Sequence, residues 1–470
     1  MKIDLDFRIE NDDTIHQFKK VMLPNVEINI LKVETLEENS EKISLRLTVE
    51  NNEFIFSLKN YTNRMVDQKI VMIKAGLLRL FKKNYPWGAL MGVRPTKLVR
   101  RFLIMGYSYE EIDEILEKLY FVFPEKRNLL LDVVKKELEY LKKDAINMYV
   151  GIPYCPTRCK YCSFASYEIN SKLGSFYNEF VDTLLEEIKL TGDTLRDRKY
   201  NIESLYIGGG TPSILTERDL ERVLDALYKN IDLSNLKEFT FEAGREDTLT
   251  VRKLEILKEK GVDRISLNPQ SFNEEILNEL NRNFNREHFD NMFKKAEELG
   301  FIINMDLILG LPNEKVEDIL RTLKEVRKYD IDNLTIHTLA VKNGSNLIKD
   351  KYQITNIENE RIEAEIDKLT KEMKLMPYYL YRQKNSLDWG QNLGYSKEGK
   401  ESIFNIEMIE ENQSTIALGG GAISKKVEMI NETRASIVRY INPKDPYMYI
   451  TEMKKRFYDG KEGFLKELSY

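Results

Sequence analysis

From Asn147 onward the chain alternates six short apolar runs with amphipathic stretches. NMYVGI, SLYIGGG, EFTFEAG, DRISLNP, FIINMDLILG and NLTIHTLA stand between helix-like segments such as SFYNEFVDTLLEEIKL and EKVEDILRTLKEVRKY. Apolar runs of strand length, separated by segments with apolar residues three and four apart, imply a parallel sheet covered by crossover helices. The expected fold is α/β, a partial (β/α)6 barrel. In such a barrel the chemistry sits at the C-terminal ends of the strands.

The flanks read differently. KISLRLTVENNEFIFSLKNY holds two alternating runs on either side of Asn51 and Asn52, a predicted hairpin. VDQKIVMIKAGLLRLFKK and KRNLLLDVVKKELEYLKK then follow a helical period. A chain of 470 residues exceeds one domain of about 100 to 200 residues. Three modules are expected: an α+β extension over residues 1–145, the barrel over 146–375, and a C-terminal α+β module over 376–470 that covers the substrate. The last contains a second glycine cluster, Gly419 to Gly421, and a helical tail from Pro446.

Composition excludes several classes. The net charge of -5 supplies no broad basic surface for phosphate neutralisation, so nucleic acid is not the expected partner. The opening MKIDLDFRIENDDTIHQF is acidic and lacks a signal-type apolar core, and no run of about 18 apolar residues follows. A cytoplasmic protein without a membrane partner is expected.

All three cysteines fall in YCPTRCKYCSF, as Cys155, Cys159 and Cys162. An odd, clustered set is not a disulfide framework. Three thiolates on one loop can hold three corners of a [4Fe–4S] cube and leave one iron without a protein ligand. A structural zinc site would want four ligands, and His16, His288 and His337 show no paired spacing. His337, in the sixth run, could face the barrel interior; as a lone histidine it reads as a satisfied core residue or one that supports the site from behind.

The Cys155-x3-Cys159-x2-Cys162 pattern, with Tyr161 before the last cysteine, resembles the signature of radical S-adenosylmethionine (SAM) enzymes. The resemblance implies that the open iron chelates SAM. One electron from the cluster then cleaves SAM to methionine and a 5'-deoxyadenosyl radical, which abstracts a substrate hydrogen. YVGIPYC, YIGGGTPS, FEAG, SLNPQSFN, NMDLILGLP and GGGAIS, in that order, resemble the oxygen-independent coproporphyrinogen III oxidase group over about residues 147–424. MGVRPTKLV at 91–99 and the long extension resemble its coproporphyrinogen dehydrogenase subgroup.

The resemblance implies a [4Fe–4S] cluster on the three cysteines and one or two molecules of SAM. Tyr149, Glu242 and Asp306 are the expected catalytic residues. Tyr149, Glu242, the glycine loop, Ala340 and Ile423 are the expected contacts of the first SAM. Gln270, Arg282 and Asp306, with Gly210, Thr211 and Tyr161, match contacts to a second. Gly208, Gly209 and Gly210 would also let backbone approach a ligand closely. Two departures stand out: Phe164 replaces a further cysteine, and Gly151-Ile152-Pro153 replaces a histidine-containing HIP.

The implied reaction is oxidative decarboxylation of two propionates of coproporphyrinogen III to the vinyls of protoporphyrinogen IX. A flavodoxin- or ferredoxin-type protein would donate electrons, and the enzyme is expected to be a monomer. Four propionates call for cations, and Arg94 and Arg382 are the expected pair. The alternatives are a haem-trafficking chaperone of the same family and another radical reaction on a tetrapyrrole.

Overall fold

The computed structural model describes residues 1–7, 13–61, 65–142, 144–198, 200–342, 344–348, 360–383, 390–431 and 434–468. The chain divides into two compact units, Met1–Lys135 and Lys136–Tyr470.

The first unit carries a four-stranded sheet of β1 (Lys2–Leu5), β2 (Ile30–Glu38), β3 (Lys42–Val49) and β4 (Asn52–Lys59), in that order. β1 runs parallel to β2, and the other neighbours are antiparallel. The predicted hairpin forms with Val49 opposite Asn52, so its turn is Glu50–Asn51, one residue earlier than read. Glu50 takes the left-handed backbone there, at φ 54°. Ile43, Leu45, Leu47 and Val49 bury one face of β3, and the helix Met65–Leu80 packs on β3 and β4. The helix Tyr109–Lys118 starts on a capping box: Ser108 and Glu111 each bond the other's backbone N–H.

The second unit is built on β5 (Ile146–Ile152), β8 (Ile202–Gly209), β9 (Glu238–Phe241), β10 (Arg264–Ser266), β11 (Ile302–Leu309) and β12 (Asn333–Thr338). These are the six apolar runs, and they lie side by side, all parallel. Helices such as Tyr177–Leu195, Glu217–Asn230 and Arg286–Glu298 make the crossovers. β5, β9 and β10 are almost wholly buried, yet β9 (EFTF) and β10 (RIS) still alternate polar with apolar residues, because Thr240, Arg264 and Ser266 face the cavity. A short parallel pair, β6 (Tyr154–Cys155) and β7 (Tyr167–Glu168), follows β5.

The strands after Leu375 extend this same sheet at both ends. β13 (Met376–Arg382) and β14 (Gln391–Ser396) add antiparallel strands beside β12. β15 (Thr415–Gly419) runs parallel to β5, and β16 (Ile423–Asn431) and β17 (Arg434–Ile441) continue outward. Among the described residues the order runs from β13 to β17 without closing, which makes the barrel partial.

One buried polar network fixes the β15 side. Glu187, on the helix Tyr177–Leu195, accepts from Gly419 N (2.7 Å), Asn442 Nδ2 (2.8 Å), Tyr449 Oη (2.6 Å) and Lys461 Nζ (2.6 Å). Lys461 also donates to the Ala417 carbonyl at 2.6 Å, and the charged pair is 1% exposed. Burial pulls the Lys461 ammonium below its usual pKa, and the Glu187 carboxylate opposes that shift. Among the described residues no helix is long and apolar enough to cross a membrane.

Candidate active site

The cysteine loop leaves β5 at Ile152 and is held from several sides. Gly210 N donates to the Ile152 carbonyl and Thr211 N to the Tyr154 carbonyl, both at 2.8 Å. Tyr167 N and Ile169 N bond Pro153 O and Cys155 O, and Lys160 N bonds Leu280 O. Arg158 N donates to Glu168 Oε1 at 2.9 Å. The chain itself therefore sets the shape of this loop.

The thiols carry distinct neighbours. Cys155 Sγ accepts from Thr211 Oγ1 at 3.2 Å, Arg245 Nη1 lies 3.9 Å from Cys159 Sγ, and Cys162 Sγ sits 3.8 Å from Ser166 Oγ. Burial pushes the Cys155 thiol up to about 11 and raises that of Cys162. Iron would have to displace these protons on binding. Among the described residues no three His, Cys, Asp or Glu side chains converge on a single ion. A cube asks for something else, one iron on each thiolate, and three cysteines on one cavity wall suit that donor set.

The glycine loop is shaped by the cysteine loop beside it. Gly209 has φ 121°, and a Cβ there would lie 2.7 Å from the Ile152 carbonyl oxygen. A Cβ on Gly210 would lie 2.9 Å from Cys155 Sγ, and one on Gly208 would lie 2.8 Å from Glu242 Oε2. The expected close approach is thus first of all to the chain's own backbone, sulfur and carboxylate.

These elements border a cavity of about 410 Å3. Its wall includes Cys155, Cys159, Cys162, Tyr161, Gly209 and Gly210. Thr211, Glu242, Gln270, Arg282, Asp306 and Ala340 complete the expected residues that it brings together. Tyr149 and Ile423 are not among its lining. The Tyr149 ring lies in an aromatic group with Tyr206 and Phe404, and Ile423 is 38% exposed at the start of β16.

Two carboxylates share the cavity. Burial, helped by the nearby charge of Asp306, pushes the Glu242 carboxyl up to about 8 against a hydrogen bond from Gly209 N. Glu242 thus tends to hold its proton at neutral pH. Asp306 is gripped by amides instead: Asn268 Nδ2 at 2.9 Å, Asn304 Nδ2 at 2.8 Å, and its own N–H on Asn268 Oδ1 at 3.1 Å.

On the same cavity wall, several polar atoms are buried with no hydrogen-bond partner in the described structure: Gln270 Oε1, Arg282 Nε and Tyr161 Oη. Gln270 is held at φ 67° between Asp306 O and Ile308 N, and Arg282 Nη2 donates to the Gly244 and Asn268 carbonyls. Orphaned polar atoms on a cavity wall are what a polar ligand would satisfy.

Other cavity residues escaped the sequence reading. Arg245 directly follows the quoted FEAG and Asn268 lies inside SLNPQ, yet neither was singled out. His337 lines the cavity, with Nδ1 3.1 Å from Asn392 Oδ1 and Nε2 4.0 Å from Asp306. Arg382 corrects an expectation. It is 2% exposed and absent from the wall, whereas its neighbours Tyr381 and Gln383 line it, because successive strand residues point to opposite faces. Arg94 lies in the first unit, bordering a smaller cavity with Lys74 and Tyr120. Phe164, in place of the further cysteine, is 69% exposed at the rim.

Comparison with known proteins agrees with this geometry. Residues 149–338 match the profile of the radical SAM superfamily. The chain is 37% identical over 392 residues to the oxygen-independent coproporphyrinogen-III oxidase-like protein HemZ of Bacillus subtilis, covering 81% of this chain and 77% of that one. It is 29% identical over 218 residues to the heme chaperone HemW of Buchnera aphidicola, covering 46% of this chain and 57% of that one. Among solved structures it resembles the coproporphyrinogen III oxidase HemN of Escherichia coli, described as a radical SAM enzyme. That match has TM-score 0.52 and 19% identity, over 71% of this chain and 73% of that one.

Proposed function

Because the chain belongs to the oxygen-independent coproporphyrinogen III oxidase group of the radical SAM superfamily, whose cofactors are a [4Fe–4S] cluster and SAM, we propose that it oxidatively decarboxylates coproporphyrinogen III to protoporphyrinogen IX. The observation that carries this reading is the single cavity that gathers the three cysteines, two unlike carboxylates and the orphaned atoms of Gln270, Arg282 and Tyr161.

In this reading Cys155, Cys159 and Cys162 hold the cluster. Bound together, cluster and SAM supply one-electron cleavage and hydrogen-atom abstraction. The chain's own residues bind and orient. Glu242, holding its proton, donates to an acceptor on SAM or takes a hydroxyl hydrogen bond when ionised. Gln270 Oε1 and Arg282 Nε offer an acceptor and a donor on the same wall. Asp306, fixed by two amides, presents its carboxylate in one orientation. Each decarboxylation removes one hydrogen atom from the propionate β-carbon, releases CO2 and passes one electron to an external acceptor. A flavodoxin- or ferredoxin-type donor supplies the reducing electron.

Anaerobic incubation of the iron-loaded protein with SAM, reductant and coproporphyrinogen III, with analysis of porphyrin and CO2, tests the proposal. Protoporphyrinogen IX and two CO2 per substrate are expected. SAM cleavage without CO2, together with stoichiometric haem binding, would instead establish the haem-trafficking reading. A methylated or ring-opened tetrapyrrole would establish a third chemistry.

A further inference from the structure

A substrate with four carboxylates needs cations, and the cations on the cavity wall are not equally free. Arg245 is paired with Asp247 and donates to Thr157 Oγ1 at 2.8 Å. Arg264 donates to the carbonyls of Lys400 and Glu401, at 2.8 and 3.0 Å, and lies 3.8 Å from Glu238. Arg282 spends Nη2 on two backbone carbonyls. Lys342 differs. It lines the same cavity, and its ammonium makes no hydrogen bond or ion pair among the described residues.

Its place in the fold is set by the cysteine loop. Lys342 lies in the segment that follows β12, two residues beyond Ala340. That segment is strapped to the loop bearing the thiols. Arg158 Nη2 donates to the Gly344 carbonyl at 2.8 Å, Ser345 Oγ to Lys160 O at 2.9 Å, and Asn346 N to Lys160 O at 3.0 Å. A charge at Lys342 is therefore presented to the same space as Cys159 and Cys162. Leu339, Ile308 and Tyr381 add apolar surface to the same cavity wall. Burial lowers its pKa, and no neighbouring carboxylate offsets that shift. Lys342 is itself exposed at the cavity wall, so an anion entering from solvent can reach its ammonium directly.

We propose that Lys342 receives a propionate carboxylate of the tetrapyrrole, orienting the macrocycle over the cysteine loop. This rests on the reading that a carboxylated tetrapyrrole enters the cavity. It does not depend on which reaction follows. The other carboxylate that could reach Lys342 is that of SAM, and the two sources separate experimentally.

The test is equilibrium binding by the anaerobic, iron-loaded full chain, so that turnover is not required. The probes are coproporphyrin III, its tetramethyl ester and SAM, measured against wild type, Lys342→Met and Lys342→Arg. Wild type should prefer the free acid to the ester. Lys342→Met should weaken the acid about tenfold, the loss of one charge-assisted contact, while its ester affinity matches wild type. Lys342→Arg should restore most of the acid affinity. Wild-type acid affinity in Lys342→Met would overturn the proposal, as would equal losses for acid and ester. A loss confined to SAM would assign the carboxylate to SAM and also overturn it. If the acid preference and its loss in Lys342→Met are observed but no CO2 is released on turnover, Lys342 keeps its role and the decarboxylation reading alone fails. A wild type that does not distinguish acid from ester would remove both the carboxylate site and Lys342's part in it.

Discussion

Thr211 Oγ1 donates a hydrogen bond to Cys155 Sγ at 3.2 Å, and both residues are buried. The glycine loop at the end of β8 thereby reaches the first thiol through a side chain as well as through backbone. A hydrogen bond to a ligating sulfur favours the more negative, reduced state of a cluster. Thr211→Val keeps the shape and removes the donor. We predict a reduction potential more negative by about 40 mV, the equivalent of about 1 kcal/mol for one electron. A redox titration followed by electron paramagnetic resonance checks this, and an unchanged potential would show that the contact does not reach the iron.

Each thiol should be indispensable to the cluster, since each holds a different corner. Cys159→Ala is expected to lose the broad visible absorption and to retain fewer than four irons per chain after reconstitution. Full iron content with intact SAM cleavage would refute the ligand assignment.

Gly209→Val should damage more than SAM binding. The φ of 121° is unfavourable for any residue with a Cβ, at a cost of about 1–3 kcal/mol. The new side chain would also press on Ile152, at the root of the cysteine loop. Iron content and SAM affinity, by colorimetric assay and calorimetry, should therefore both fall. A variant with normal SAM affinity would mean the loop tolerates the displacement.

Glu242 predicts a pH dependence. Its carboxyl titrates near 8 in the fold against an ordinary 4.5. An acid with a raised folded pKa holds its proton better folded than unfolded. Its stabilisation is then complete below about pH 4.5 and is lost as pH rises to about 8. Thermal unfolding of the SAM-free protein should show stability falling across that window, and Glu242→Gln should flatten the fall. Identical pH profiles for the two proteins would show that Glu242 does not titrate there.

Asp306→Asn should slow decarboxylation. Both carboxylate oxygens accept from amide groups, and an Asn can accept with only one oxygen, turning its own NH2 toward Asn268 or Asn304. A loss of about 1.5–3 kcal/mol corresponds to about tenfold to a hundredfold in rate. CO2 release measures it, with cluster absorption as the control that the site is still assembled.

The parallel core was legible because β5 and β8 to β12 are short, mostly buried segments rich in apolar residues, each set off from the next by an amphipathic helical stretch. Glu242, just past the end of β9, and Asp306, within β11, were legible because each belongs to a motif whose place in the order is fixed. Lys342 and Arg245 were not, because their meaning depends on which other charges are already engaged. Arg245 looks like a free cation until Asp247 and Thr157 are seen around it. Arg382 misled for a simpler reason: YLYRQ shows an arginine among aromatics, but only the register of β13 against β14 decides which alternate residues face the cavity. The pairing of β15 with β5, Gly419 opposite Gly151, joins distant runs that carry no local mark of each other.

The Glu187–Lys461 pair gives the order of synthesis a bearing on the site. A nascent chain already holds Glu187 and the cysteine loop when β15 emerges, yet the partner that neutralises Glu187 is made later still. Until residue 461 has left the ribosome, packing β15 against β5 would bury Glu187 without its cation, a state penalised by about 3–5 kcal/mol. A chain stopped short of that lysine should thus be slow to complete the strand beside its thiols, leaving it to quality control rather than to iron.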